Sequence, residues 1–166
     1  MIPDFANLDQ AVVGPDDAVL EIIGIRLSFK ATAQSTGGQW ALVEYTAPPH
    51  FKGPPPHWHK VTTEGFYVVE GQLHLEIGEG EAARVLEAGP GTFALVPPGT
   101  VHVWSNPSEA LVKYLFIVSP AGLEGYFLEL AELVKNAPSW PLPDMTPVMA
   151  LAAKYDTFAP PVIAGP

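Results

Sequence analysis

The sequence predicts an all-β sandwich or barrel that carries one amphipathic helix near its C-terminal end. Three observations support this. Short apolar stretches recur through the first 119 residues. The 15 glycines and 19 prolines fall between those stretches instead of in one low-complexity tract. Helical spacing of apolar residues comes only after Pro120. A length of 166 residues fits one domain with a substantial core.

In chain order the strand candidates are VLEIIGIRLSF (19–29), QWALVEYTA (39–47), GFYVVE (65–70), QLHLEIG (72–78), TFALVP (92–97), VHVWSN (101–106) and LVKYLFIVS (111–119). STGG (35–38) and EGQ (70–72) read as hairpin turns, because glycine accepts positive φ without strain. The acidic EIGEGE (76–81) reads as a solvated hairpin. After Pro120, Leu123, Tyr126, Phe127, Leu130, Leu133 and Val134 make one apolar helix face. Lys135 and Asn136 suit its last turn, and Pro138 lies just beyond. This face is expected to pack on the barrel or across a dimer. A short helix is expected over 146–154. The organisation is therefore an N-terminal segment (1–18), a β-barrel (19–119), and a helix with a proline-rich tail (120–166), all in one domain.

The net charge of −10, from 8 Lys+Arg against 18 Asp+Glu, lacks the basic footprint of a nucleic-acid or anionic-membrane binder. With no cysteine, a metal has to be held by histidine and carboxylate. MIPDFANLDQ has no basic and apolar leader pattern, and the longest apolar runs, such as YLFIV (114–118), are far short of a bilayer span. The expectation is a soluble, cytoplasmic protein.

Two histidine-bearing stretches carry the chemistry. In the extended PPPHWH, side chains alternate, so His57 and His59 point one way and Trp58 the other, toward surface packing. Thr62 and Thr63 allow a turn after which Glu64 can return beside the pair. Two imidazoles and a carboxylate with open positions suit a non-haem divalent metal. Further on, GTFALVPPGTVHVWSN contains Gly91, Pro97, Gly99, His102 and Asn106, and His102 can arrive from another strand as a fourth ligand.

These stretches resemble the two motifs of the cupins. The first is matched by His57, His59, Glu64 and Gly71, the second at every fixed position by Gly91, Pro97, Gly99, His102 and Asn106. Gly53 departs from the pattern: three residues separate it from His57 instead of five, and Phe51 stands in the expected place. TGGQWALVEYTAPP, EGFYVVEG and SPAGLEGYFLEL extend the likeness to single-domain cupins grouped with quercetin dioxygenases, over residues 24–134. The resemblance implies a double-stranded β-helix, or jelly-roll barrel, often dimeric, with a helix after the last core strand.

It also implies that His57, His59, Glu64 and His102 bind a divalent transition metal: iron, manganese, nickel, cobalt, copper or zinc. Glu64 is then both ligand and general base. The leading functional expectation is a dioxygenase that cleaves a flavonol-type or other enolisable small aromatic substrate with O2. The alternatives are a non-oxidative lyase or isomerase, and a non-catalytic small-molecule-binding or metal-sensing protein.

Phe66 and Val68 share parity with Glu64, and Trp104 with His102, so they face the interior either as pocket walls or as plain core. No arginine lies within either motif to hold a phosphate, and Arg84 falls in the intermotif loop. His74 is expected to face outward, while His50 carries no spacing argument. Glu44 is on the inner face if Trp40 and Leu42 are, and on the outer face if Val43 and Tyr45 are.

Overall fold

The computed structural model describes residues 12–160. The start of the expected N-terminal segment and the last six residues of the tail lie outside that range. Two antiparallel sheets form a jelly-roll barrel. The first has six strands, β1 (Val19–Ile22), β2 (Ile25–Ala31), β3 (Ala41–Ala47), β10 (Val112–Ser119), β5 (Thr63–Glu70) and β8 (Phe93–Val96), in that spatial order. The second pairs β7 (Arg84–Ala88), β6 (Leu73–Ile77) and β9 (His102–Ser105). Bridges Phe51↔Asn106 and His57↔His102 continue it into residues 51–57, which lead to β4 (Trp58–His59) and its partner β11 (Thr157–Phe158).

The expected strand over 19–29 is a hairpin. Ile23 and Gly24, at φ 46° and 88°, supply the two left-handed residues that a tight two-residue turn requires. A β-branched residue is an uncommon occupant of that region, so the turn left no trace in composition. STGG does lie in the link of a hairpin, β2 to β3, but the link is longer than a tight turn. Residues Ala33–Thr36 form a one-turn helix, α1, in which the Thr32 N–H donates to Ser35 Oγ at 2.9 Å, and left-handed Gly37 leads on toward β3. EGQ is a corner between sheets, since β5 and β6 belong to different ones. Gly71 is required there: at φ 75°, a Cβ would stand 2.2 Å from the Leu111 carbonyl oxygen. The acidic stretch does lie in the β6–β7 hairpin, and the strand status of β7 was not anticipated.

Alternation in β3 buries Ala41, Val43, Tyr45 and Ala47. Glu44 therefore lies on the other face, in register with Ser28 and Leu115. Between the sheets Tyr45 stacks on Tyr114 at 4.9 Å, and Phe66, Trp104 and Phe116 fill the space around them. The expected helix is α2 (Leu123–Lys135). It packs on the barrel, with Leu123 and Leu130 buried and Phe127 6.2 Å from the Tyr45 ring. Its start is tied down by Glu124, which accepts from the Gly122 and Ala33 N–H groups. The second expected helix is α3 (Thr146–Lys154), joined to α2 by Lys154 and Tyr155 on Glu129. Gly125 leaves room for this approach, because a Cβ there would meet the Tyr155 ring at 2.7 Å. Among the described residues, no helix is long and apolar enough to cross a membrane.

Candidate metal centre

The site forms where the two sheets converge at one end of the barrel. His57 and His102 are a hydrogen-bonded antiparallel pair, with His57 N–H donating to the His102 carbonyl at 3.0 Å and His102 N–H to the His57 carbonyl at 2.8 Å. Such a pair puts both side chains on one face, and their ring centroids lie 4.3 Å apart. Trp58 points away and packs on Phe158, which returns His59 to the side of His57. The turn at Pro97–Thr100 delivers His102, and Gly99 at φ 79° donates its N–H to the His59 carbonyl at 2.7 Å. Glu64 comes from the other sheet, on β5 opposite Val96 and Val118.

One ligand atom from each of His57, His59, Glu64 and His102 lies within 4.8 Å of the others. His59, Glu64 and His102 are buried, while His57 is half-buried and forms the open edge. Each imidazole is oriented through Nδ1 on a main-chain carbonyl: His57 on Pro55 at 3.0 Å, His59 on Asp156 at 2.9 Å and His102 on Thr100 at 3.1 Å. A carbonyl only accepts, so each Nδ1 carries a hydrogen, and Nε2 is the atom left for the centre.

The Nε2 atoms meet the carboxylate. His102 Nε2 stands 2.8 Å from Glu64 Oε2 and His59 Nε2 3.0 Å from Glu64 Oε1. The second approach is within ion-pair reach but misaligned as a hydrogen bond, so His59 Nε2 is buried without a hydrogen-bond partner. A neutral imidazole already donating through Nδ1 offers a lone pair at Nε2, and lone pairs this close to carboxylate oxygens need a proton or a cation between them. Three imidazole nitrogens and one carboxylate, with no thiolate, are suited to a borderline divalent transition ion.

The charges agree with that reading. Burial disfavours the Glu64 carboxylate, and the facing His102 and His59 rings outweigh it, holding the group at about 2. Burial, with the His102 ring next, lowers His57 to about 4. Burial also acts to lower His59, but Glu64 and the carbonyl and carboxylate of Asp156 outweigh it and leave the group raised.

Phe66, Val68 and Trp104 face inward, in a filled aromatic core. The Phe66 ring lies 6.4 Å from that of His102 and 5.6 Å from that of Tyr114, and Trp104 stacks on Phe51 at 5.6 Å. Two surface depressions, at Glu21–Arg26 and around His50 and Asn106, are lined by none of the four cluster residues. His74 bonds Glu87 and Glu76 away from the site, and exposed His50 pairs with Glu109. Arg84 begins β7 and bonds carbonyls of its own turn. Asn106 is structural: fully buried, its Nδ2 donates to the Pro48 and Ala110 carbonyls and its Oδ1 accepts from Ser108.

Sequence reasoning missed the tail's part in the site. Asp156, 97 residues after His59, supplies that ring's acceptor, and its carboxylate accepts from the main chain of residues 60–62. The only local signal was an aspartate following a helix, which marks a turn and names no partner.

Residues 43–118 match the family described as Cupin domain. The chain is 39% identical over 83 residues to oryzines biosynthesis cluster protein J of Aspergillus oryzae, covering 49% of this chain and 43% of that protein. It is 31% identical over 104 residues to quercetin 2,3-dioxygenase of Bacillus subtilis, covering 61% and 28%. The chain thus spans less than half the length of either curated relative. Among solved structures, KdgF from Halomonas sp. aligns at TM-score 0.56 and 23% identity over 68% of this chain and 97% of that one. Oxalate decarboxylase of Bacillus subtilis, studied for its Mn(II) centres, aligns at 0.53 and 20% over 63% and 28%. At these identities the structural likeness establishes the fold. The match makes residues 43–118 a cupin domain by likeness, and that stretch contains the complete four-residue cluster on the jelly-roll barrel.

Proposed function

We propose that this protein is a metal-dependent enzyme, a dioxygenase of the quercetinase type acting with O2 on a flavonol-type or other enolisable small aromatic substrate. The observation that carries the reading is the buried His57, His59, Glu64 and His102 cluster, open at His57. The partial identity to quercetin 2,3-dioxygenase supports the choice of chemistry. A bound divalent ion (iron, manganese, nickel, cobalt, copper or zinc) would supply Lewis acidity and, where redox-active, a route to O2.

The chain's own residues do the rest. The three imidazoles are pre-oriented by their Nδ1 carbonyl partners, so little rearrangement accompanies loading. Glu64 directs both carboxylate oxygens at the centre and is the base nearest a substrate hydroxyl that reaches it. Half-buried His57 marks the side from which substrate approaches. The aromatic side chains behind the cluster keep water from its inner side.

The test is oxygen uptake by the iron, manganese, nickel, cobalt and copper forms across a panel of flavonols and β-diketones. The reading expects uptake that requires both the ion and an enolisable hydroxyl. No uptake with any pairing overturns the dioxygenase; product formed without oxygen assigns a lyase or isomerase to the same centre.

A further inference from the structure

The proposed chemistry draws on the C-terminal tail only through the Asp156 carbonyl, yet residues 156–159 make three kinds of contact on the segment 58–62 that leads from His59 toward Glu64. The Asp156 carbonyl accepts from His59 Nδ1 at 2.9 Å. The Asp156 carboxylate accepts four hydrogen bonds: Lys60 N–H at 3.0 Å on Oδ1, then Val61 N–H, Thr62 N–H and the Thr62 hydroxyl at 2.9 Å each on Oδ2. These donors belong to the turn that joins His59 to Glu64. Strand β11 then pairs with β4, Thr157 opposite His59 and Phe158 opposite Trp58, and the Trp58 indole donates to the Ala159 carbonyl.

The three imidazoles differ in who orients them. His57 and His102 take their Nδ1 acceptors from two residues upstream, Pro55 and Thr100, within their own loops. His59 takes its acceptor from a separate element 97 residues away. That element is held in turn: Asp156 sits at φ 59°, a region Asp and Asn enter more readily than most residues, and Lys154 and Tyr155 just before it bind Glu129 on α2.

We propose that Asp156 is a positioning residue of the metal centre. Its carbonyl fixes the tautomer and direction of His59, its carboxylate fixes the turn between His59 and Glu64, and the tail thereby sets the affinity of the site for its ion. This rests on reading the cluster as a metal site. Metal ligands held by such outer partners commonly lose about 10- to 100-fold in affinity when the partner is removed.

The test uses the full chain and its Asp156→Ala and Asp156→Asn variants. Co(II) affinity is measured by competition with a chromophoric chelator, the visible spectrum of the Co(II) form is recorded, and ring 15N shifts are read in the metal-free protein. Asp156→Ala keeps the main-chain carbonyl but loses the carboxylate that holds residues 60–62. It is expected to weaken Co(II) by about 10- to 100-fold, to shift the Co(II) bands, and to shift the His59 Nδ1 resonance while those of the His57 and His102 rings stay in place. Asp156→Asn, which keeps the left-handed turn and one acceptor oxygen, should retain more affinity than the alanine variant. If Asp156→Ala melts earlier but binds Co(II) with wild-type affinity and spectrum, the tail is only an anchor and the proposal is overturned. A wild-type chain that takes up no ion overturns the metal reading, and this inference with it; uptake that is equal in wild type and Asp156→Ala removes this inference alone.

Discussion

His57 and His102 are locked together by their backbones before their side chains do any chemistry, each N–H donating to the other's carbonyl. Because the pairing is main-chain, it survives removal of either imidazole. Ligand substitutions should therefore change the site far more than the fold.

Glu64→Gln separates the two roles given to that residue. The amide keeps shape and one oxygen but loses the charge, and it cannot accept a proton at neutral pH. Metal affinity is expected to fall by at least about tenfold. Oxygen uptake should fall further than the remaining metal content accounts for. Metal analysis of the same samples used for the uptake assay checks this, and uptake that merely tracks metal content removes the base role.

Metal uptake should weaken as pH falls, and the sign follows from the imidazoles. Only the neutral ring is a ligand. His57, held at about 4, is already neutral across the usual working range and contributes no pH dependence there. His59, raised above its ordinary value of 6.5 by Glu64 and Asp156, holds its proton to higher pH than a free imidazole and has to release it on binding. Below the His59 pKa, affinity should fall by about tenfold per pH unit for that one proton. Calorimetric titration in buffers of differing ionisation enthalpy reads the release directly. Affinity that is flat between pH 5 and 8 contradicts the His59 assignment.

Gly53 and Gly91 both sit at positive φ, 72° and 86°, but in different surroundings. A Cβ on Gly53 would lie 1.7 Å from the Trp104 carbonyl oxygen, so Gly53→Ala has to push the ligand-bearing segment off β9. A Cβ on Gly91 meets nothing within 4 Å, leaving only left-handed strain of about 1–2 kcal/mol. Gly53→Ala should cost more than Gly91→Ala in denaturant melts and should also lower metal affinity. Equal losses would mean that the close approach is unimportant.

Asn106→Ala takes the side-chain donor from the partly buried Pro48 carbonyl, while the Ala110 carbonyl keeps the Ser108 hydroxyl. An unsatisfied acceptor costs about 1–3 kcal/mol, so urea denaturation should show a loss of that size. Metal content of the folded fraction should be unaffected, which separates this motif position from the ligands.

The ligand set was legible because its signals are local. Two histidines one residue apart on an extended segment share a face whatever the rest of the chain does, and Gly91, Pro97, Gly99 and His102 describe a turn and the strand it feeds. Helix α2 was legible for the same reason, through apolar spacing and the proline beyond it. What escaped notice depended on unusual backbone or on distant partners. Ile23 turns a hairpin from a left-handed conformation that its side chain disfavours. β7 has mostly exposed side chains, so its sequence lacks a buried face to betray it. Gly71 was read correctly as a turn but assigned to the wrong kind, because only the two-sheet topology says that β5 and β6 part company there. Asp156 reaches His59 across 97 residues, and no period or motif encodes such a contact.

The central claim is that His57, His59, Glu64 and His102 hold one divalent ion. It is tested most directly by the metal content of wild type and His102→Ala, purified without added metal, loaded with a single divalent ion and dialysed against a weak chelator. The account predicts close to one ion per wild-type chain and a loss of at least about tenfold in His102→Ala, with both proteins folded. Equal metal content in the two, or none in the wild type after loading, would contradict it.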